Sequence, residues 1–298
     1  MNLISIWSVL EESSDILGDY AYPAMDKAAE ELGLSPDYFS WVAAVNLFAP
    51  DSFTLAEFMR IFPYGLQQVN EARLVSAVEQ GFLTLDGQGQ YRATELGINT
   101  AVHRVFQAAN DSIVSLRPMP EEALNRLVNL LTRIANVALG MPEPPIQFTT
   151  SHKRRSYDRI GMRDSVPGFV GRCLEMEGYR DDAYITIWQA HRIDGHAWEV
   201  LDCLSQNDTL TFDDLHEKTN RRGVTREVHA EDVQELAKRG WVDDASGKIQ
   251  ITSAGRQVRA EVEAETERLF FAPWACLSES ELEELASLAS QLRDGLNN

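Results

Sequence analysis

The second half of this chain repeats the landmarks of the first, and that repeat restricts the fold to two copies of one small unit. At an offset of 157 to 159 residues, Trp41 falls on Trp198, Leu47 on Leu204, Asp51 on Asp208 and Thr54 on Thr211. After a two-residue slip Leu74 meets Val233, and Gly81-Phe82 meets Gly240-Trp241. Gly89, Thr94 and Gly97 coincide with Gly247, Thr252 and Gly255; farther on, Leu124, Leu127 and Leu130 coincide with Leu282, Leu285 and Leu288. A register held over about 100 residues with only small slips points to a duplication, even at low overall identity.

Both copies spell one order of elements. In the second, Trp198, Leu201 and Leu204 have helical spacing before a polar break at Gln206-Asn207-Asp208. Thr211 suits the N-cap of a short helix, with Asp214 three residues on completing a near capping box. A turn around 220–224 leads into a longer helix over 225–239, with Val228, Val233 and Leu236 inward and Gly240 as its stop. Trp241-Val242 and Ile249-Gln250-Ile251 predict a β-hairpin around 244–248, Thr252 caps a long helix to about Phe271, and Ser278 caps a last one over 279–296. The first copy has Thr54, a helix over 66–80, Gly81, a hairpin tip over 86–90, Thr94 and a last helix over 120–139.

Helix, helix-turn-helix and hairpin wing, followed by Ile251-Thr252-Ser253-Ala254-Gly255-Arg256, resemble the segment that opens the helix after the wing in MarR-type regulators. The run from Leu277 to Leu285 resembles the opening of their last helix, and the likeness covers about 190–298 well and 38–140 more weakly. The resemblance implies a mainly α protein with small β-hairpin wings, a tandem winged-helix pseudo-dimer in one chain. It divides the chain into a first unit over 1–141, a Pro-containing basic linker over 142–170 and a second unit over 171–298. The expected function is a DNA-binding transcriptional regulator, responsive to a small aromatic or amphipathic ligand held between head and dimerisation helices. Its assembly would be a pseudo-dimeric monomer or a homodimer.

Charge sets the competing reading. Asp and Glu number 46 against 27 Lys and Arg, a net charge of −19 over 298 residues, where a generic polyanion binder presents a basic surface. The acid is even along the chain, so neither half is a basic module. The alternative is therefore a winged-helix protein that has lost DNA binding and serves as an acidic protein- or small-molecule-binding module.

Candidate DNA contacts are Arg221, Arg222, Thr225, Arg226 and His229 in the second reading helix, against Gln67, Gln68, Asn70 and Arg73 in the first. Long polar and basic side chains at the start of such a helix reach base edges and phosphates. The wing tips 86–90 and 244–248 carry one lysine between them, where the family typically has arginines. The one dense basic run, Lys153-Arg154-Arg155 behind Ser151-His152, is a phosphate-tracking arm, a cradle for an anionic ligand or a partner for acids of the same chain.

Other constellations point less far. His191 and His196 flank Asp194 without metal-site spacing, and the cysteines Cys173, Cys203 and Cys276 are scattered, so neither a metal site nor a disulfide framework is expected. Gln88-Gly89-Gln90 has the Gln-x-Gln spacing of tandem winged-helix alkylpurine glycosylases, but a glycine stands where those have an aliphatic residue. With no nucleophile triad, phosphate loop or carboxylate pair, a non-enzyme without cofactor is expected. The start of the chain lacks a basic n-region and no run approaches the ~20 apolar residues of a membrane span, so the expected location is the cytoplasm.

Overall fold

The computed structural model describes residues 2–207, 209–244 and 247–297, and of Arg221 the backbone alone. Each half opens on a long helix, α1 (Leu3–Glu31) in the first and α9 (Ser165–Gln189) in the second. In the first half there follow α2 (Tyr38–Phe48), β1 (Ser52–Thr54), α3 (Leu55–Ile61), α4 (Gln67–Glu79), β2 (Leu83–Leu85) and β3 (Gln90–Ala93). A long helix then runs through α5 (Glu95–Thr100), a π-helical stretch (Ala101–Phe106) and α6 (Gln107–Ile113), and α7 (Glu121–Ala138) ends the half. The second half has α10 (Gly195–Asn207), β4 (Thr209–Leu210), α11 (Phe212–Thr219), a 3-10 turn (Asn220–Arg222), α12 (Arg226–Lys238), β5 (Val242–Asp243) and β6 (Ile249–Ile251). It closes with α13 (Ser253–Phe271), a 3-10 turn (Ala272–Cys276) and α14 (Glu279–Leu296). Helix α8 (Phe148–Arg159) stands between the halves.

The sequence pattern predicts a two-stranded hairpin, yet each sheet has three antiparallel strands. β1 joins the outer side of β3, pairing Phe53 with Tyr91, and β4 joins β6 in the same way. The short strand β1 ends on the capping residue: Thr54 accepts from the Glu57 amide while the Glu57 carboxylate accepts from the Thr54 amide, completing a capping box. Phe53 is 1% exposed and stacks between Phe48 and Tyr91, so burial of its ring holds the segment on the sheet edge.

The matched landmarks perform matched tasks. Thr94 and Thr252 cap the helices after the hairpins by accepting from Gly97 and Gly255, and each donates its hydroxyl to the glycine carbonyl behind the preceding helix, Gly81 or Gly240, at 2.7 Å. The new helix thus passes against the backbone at the end of the old one. A Cβ on Gly97 would stand 2.1 Å from the Phe82 carbonyl oxygen, and one on Gly255 2.3 Å from that of Trp241. Only glycine fits at either place.

Three cores result. The central one packs α1, α7, α9 and α14 with the end of α13, around Trp7, Phe169, Phe270 and Trp274. The first head has its own core around Trp41, Phe48, Phe53 and Phe58, reached by Tyr157 of α8; the second has Trp188, Trp198, Leu215 and Leu236. Residues 142–170, read from the sequence as a linker, include α8, which packs along α9 and against α2 and α3. Asp182 of α9 accepts from the Thr149 and Thr150 amides at 2.8 and 2.9 Å and so satisfies the first turn of α8 from another helix. Among the described residues no helix is long and apolar enough to cross a membrane.

Gly97→Ala and Gly255→Ala should each destabilise the protein by roughly 1–3 kcal/mol through overpacking. Urea unfolding of the two variants checks this, and equal losses are expected because the two approaches are geometrically alike.

Candidate nucleic-acid interface

Helices α11 and α12 form the helix-turn-helix of the second half. The chain reverses between them through the 3-10 turn and Gly223, whose φ of 76° lies in the left-handed region. Thr225 then caps α12 by accepting from the Val228 amide, so its hydroxyl is committed to the backbone although the residue is exposed.

Arg226 begins α12 and faces solvent. It pairs with Asp213 at 2.6 Å and lies 5.0 Å over the Phe212 ring. Both partners of that ion pair are more than half exposed, so it contributes little and the guanidinium can exchange its carboxylate for a phosphate at small cost. Arg222 is held more firmly. Its Nε is 3.1 Å from Glu199, and its guanidinium sits 5.0 Å over Tyr64 of the first head. The Arg221 side chain lies outside the described residues, as do Ala245 and Ser246 of the second wing tip.

His229 is a correction to the sequence reading. It is fully buried, with Nδ1 2.8 Å from Nδ1 of His216 and Nε2 3.3 Å from the Thr219 hydroxyl, and it reaches no groove. Thr219 donates to the Leu215 carbonyl, so His229 donates from Nε2 and accepts at Nδ1. Desolvation and then the neighbouring His216 push its pKa down to about 4. On the neighbouring face His196 pairs with Asp232 at 2.7 Å; burial opposes its charge, but that carboxylate holds its pKa above the ordinary value. Among the described residues no group of three or more His, Cys, Asp or Glu side chains is arranged to hold a metal ion.

In the first head Gln67 and Gln68 are exposed at the start of α4, as the sequence suggests. Asn70 is not: only 4% exposed, it is 3.1 Å from the Met59 sulfur and accepts from Arg73 at 3.4 Å. The inward side of α4 takes it, because the apolar residues on that side, Leu74 and Ala77, lie four and seven positions on. Asp86 shapes the first wing tip, accepting from the Gln88 and Gln90 amides, and these bonds lower its pKa.

The basic run also departs from the phosphate-arm reading. Lys153 is half-buried and 3.6 Å from Asp181; Arg154 pairs with the fully buried Glu175 and donates to Asn136 at 2.8 Å. Only Arg155 faces outward, on Asp51 at 2.7 Å with about half of its side chain exposed. Helical periodicity explains the split, since three successive positions point to different sides of α8 and two of them meet α9 and α7.

A contact between the heads has no signal in the sequence. The turn before α4, Pro63-Tyr64-Gly65, docks on the second head, with the Tyr64 ring 5.9 Å from Trp188 and beneath Arg222. A Cβ on Gly195 would stand 2.1 Å from the Pro63 carbonyl oxygen, and one on Gly223 3.1 Å from the Val69 side chain. The N-terminal ends of α4 and α12 therefore face each other directly. An aromatic turn of this kind carries no mark of its partner, and neither Tyr64 nor Glu199 stands out in the sequence.

Residues 177–297 match the model of a helix-turn-helix family. The match spans the end of α9 and the whole second head through α14, so this part of the chain is a helix-turn-helix domain of the kind that binds DNA. Comparison with curated proteins and with solved structures returns no match.

Two outcomes follow from this geometry. Arg154→Ala takes one of two guanidinium partners from the buried Glu175 and should cost about 2–4 kcal/mol, while Arg155→Ala should stay within about 0.5 kcal/mol, both read by urea unfolding. His229, depressed in the folded state relative to about 6.5 unfolded, contributes stability that is present above pH 6.5 and lost as the pH falls from there through about 4. An NMR titration should find the His229 ring neutral at pH 5.5 and His196 still protonated above pH 6.5, with unfolding free energy falling over the acidic window.

Proposed function

We propose that the chain is a transcriptional regulator of the MarR-like type, a tandem winged-helix pseudo-dimer that binds double-stranded DNA and responds to a small aromatic or amphipathic ligand. The observation that carries the reading is the helix-turn-helix match over 177–297 together with Arg226, exposed at the start of α12. Duplication is supported by the repeated element order and by the paired close approaches at Gly97 and Gly255. It is supported again by Arg126 of α7 and Glu284 of α14, joined at 3.0 and 2.6 Å between positions one repeat offset apart. Equivalent residues meet in this way close to the axis of an isologous interface. One chain supplies both heads, so assembly of a two-headed unit needs no second molecule.

Two reading helices that enter successive major grooves stand roughly 34 Å apart, whereas here the ends of α4 and α12 touch through Gly65, Arg222, Val69 and Gly223. We read this as a closed state. DNA is engaged when the Tyr64 turn leaves the second head, or by the second head alone. Ile61 and Phe62 line an internal cavity beside the first head and lead directly into that turn, which gives a bound ligand a mechanical route to the contact.

A second reading, an acidic ligand- or protein-binding module without DNA affinity, is favoured by Arg222, whose guanidinium is already shared between Glu199 and Tyr64. Binding of a duplex of about two helical turns at low salt separates the two. The regulator reading expects measurable binding, weakened about five- to tenfold by Arg226→Ala and less by the double change of Gln67 and Gln68 to Ala, as the loss of one phosphate contact predicts. Tyr64→Ala should raise affinity by opening the heads. Absence of binding by both the native chain and the Tyr64 variant leaves the second reading.

A further inference from the structure

A cavity of about 350 Å³ lies between α1, α2, α6, α8 and α9, on the far side of the first head from its wing and within the size range of small-molecule sites, ~300–1,000 Å³. Its walls are largely apolar and aromatic, with Tyr22, Phe39, Phe62, Phe106 and Tyr157 contributing rings. Tyr22 and Phe39 are also exposed, 59% and 45%, and so mark the mouth where the lining meets solvent.

The charge of the lining is one-sided. Asp15 of α1 and Glu177 and Asp181 of α9 face a single cation, Lys153 of α8, and Lys153 is already paired with Asp181 at 3.6 Å. Among the described residues Glu177 has no hydrogen bond and no ion pair. It is half-buried, and desolvation pushes its pKa up to about 7, with Lys153 opposing and Asp181, Glu11 and Asp15 adding to the rise. The remaining titratable groups against it, Tyr22, Tyr157 and the buried thiol of Cys173, have pKa values raised chiefly by burial and stay neutral. α2 and α6 contribute only the amides of Asn46 and Asn110. An uncompensated carboxylate in an apolar wall is costly unless a cation reaches it.

We propose that this cavity binds an organic cation, an ammonium or amidinium group on an aromatic hydrocarbon body, with Glu177 as its counter-ion and Tyr22 and Phe39 against the body. The inference deepens the ligand-responsive reading above and does not depend on DNA binding. An anion is disfavoured because the one lysine is committed to Asp181 and two further carboxylates, Asp15 and Glu177, remain. Aromatic faces favour a cation further, since their negative quadrupole attracts it.

The test is isothermal titration of the full chain near pH 7.5 with three compounds of one shape: 1-naphthylmethylammonium, 1-naphthylmethanol and 1-naphthoate. The expected order is cation, then neutral alcohol at least tenfold weaker, then the acid. Glu177→Gln should lower the cation's affinity about tenfold and leave the alcohol unchanged, which also shows that the variant is folded and the cavity intact. Cation binding should release protons below pH 7, read as a dependence of the heat on buffer ionisation, because the ligand draws Glu177 into its charged form. Preference for the naphthoate, or a cation preference that survives Glu177→Gln, would overturn the charge assignment while leaving a ligand site. Binding of none of the three overturns the site itself, and the duplex experiment remains independent of either result.

Discussion

The buried carboxylate of Glu175 on α9 holds the molecule's joint together. Its side chain is fully enclosed and lies against two guanidinium groups, Arg172 of its own helix at 2.6 Å and Arg154 of α8. Arg172 extends the network to Asp158 at 3.1 Å, back on α8. Burial pushes the Glu175 pKa up while the two arginines, Arg172 first, pull it down, so burying this carboxylate between the helices relies on a guanidinium from each of them. Because α8 also packs on α2 and α3, and α9 on α7 and α13, this network ties the first head to the helices of both halves. A chain that would otherwise be two units on a tether is thereby one body.

The closed contact between heads follows from that joint. With α8 fastened to α9, the first head sits beside the second, and the Pro63–Gly65 turn fills the space above Trp188. The same fastening builds the cavity, because α1, α8 and α9 can enclose it only when α8 is seated. Lys153 links the two features: its stem crosses Gly178, where a Cβ would be 2.9 Å away, and its ammonium balances Asp181 at the cavity's edge. Head position, cavity shape and the charge of its lining therefore respond to one set of helix contacts.

Much of the fold was legible because the landmarks matched between the two halves are residues with strict local duties. Thr94 and Thr252 are caps, Gly81 and Gly240 helix stops, and Gly97 and Gly255 are required by a carbonyl about 2 Å from any added Cβ, values of 2.1 and 2.3 Å. Such residues announce element boundaries from sequence alone. The third strand in each sheet escaped notice, since two or three residues cannot show an alternating pattern and their pairing is decided by burial of Phe53 and by proximity to β3. The candidate site was legible only in part. Arg226, Gln67 and Gln68 are exposed where the pattern puts them, but Asn70 and His229 turn inward because their positions share a helix face with core residues. In the basic run the three consecutive cations looked alike, and the helix phase of α8 separated them into two internal partners and one surface residue.

By itself the sequence determined the order of helices and hairpins in each half, their caps and stops, and the helix-turn-helix character of 177–297, since all of these depend on interactions within a few residues. Only the tertiary structure decided that the ends of α4 and α12 meet, that Glu177 faces a cavity without a partner, and that α8 is anchored and not an arm. These depend on residues more than 20 positions apart, such as Arg154 with Glu175 and Tyr64 with Arg222, brought together by the packing of apolar helix faces. A charge written in the chain carries no record of which opposite charge the fold will place beside it, and burial alone turns that placement into a constraint.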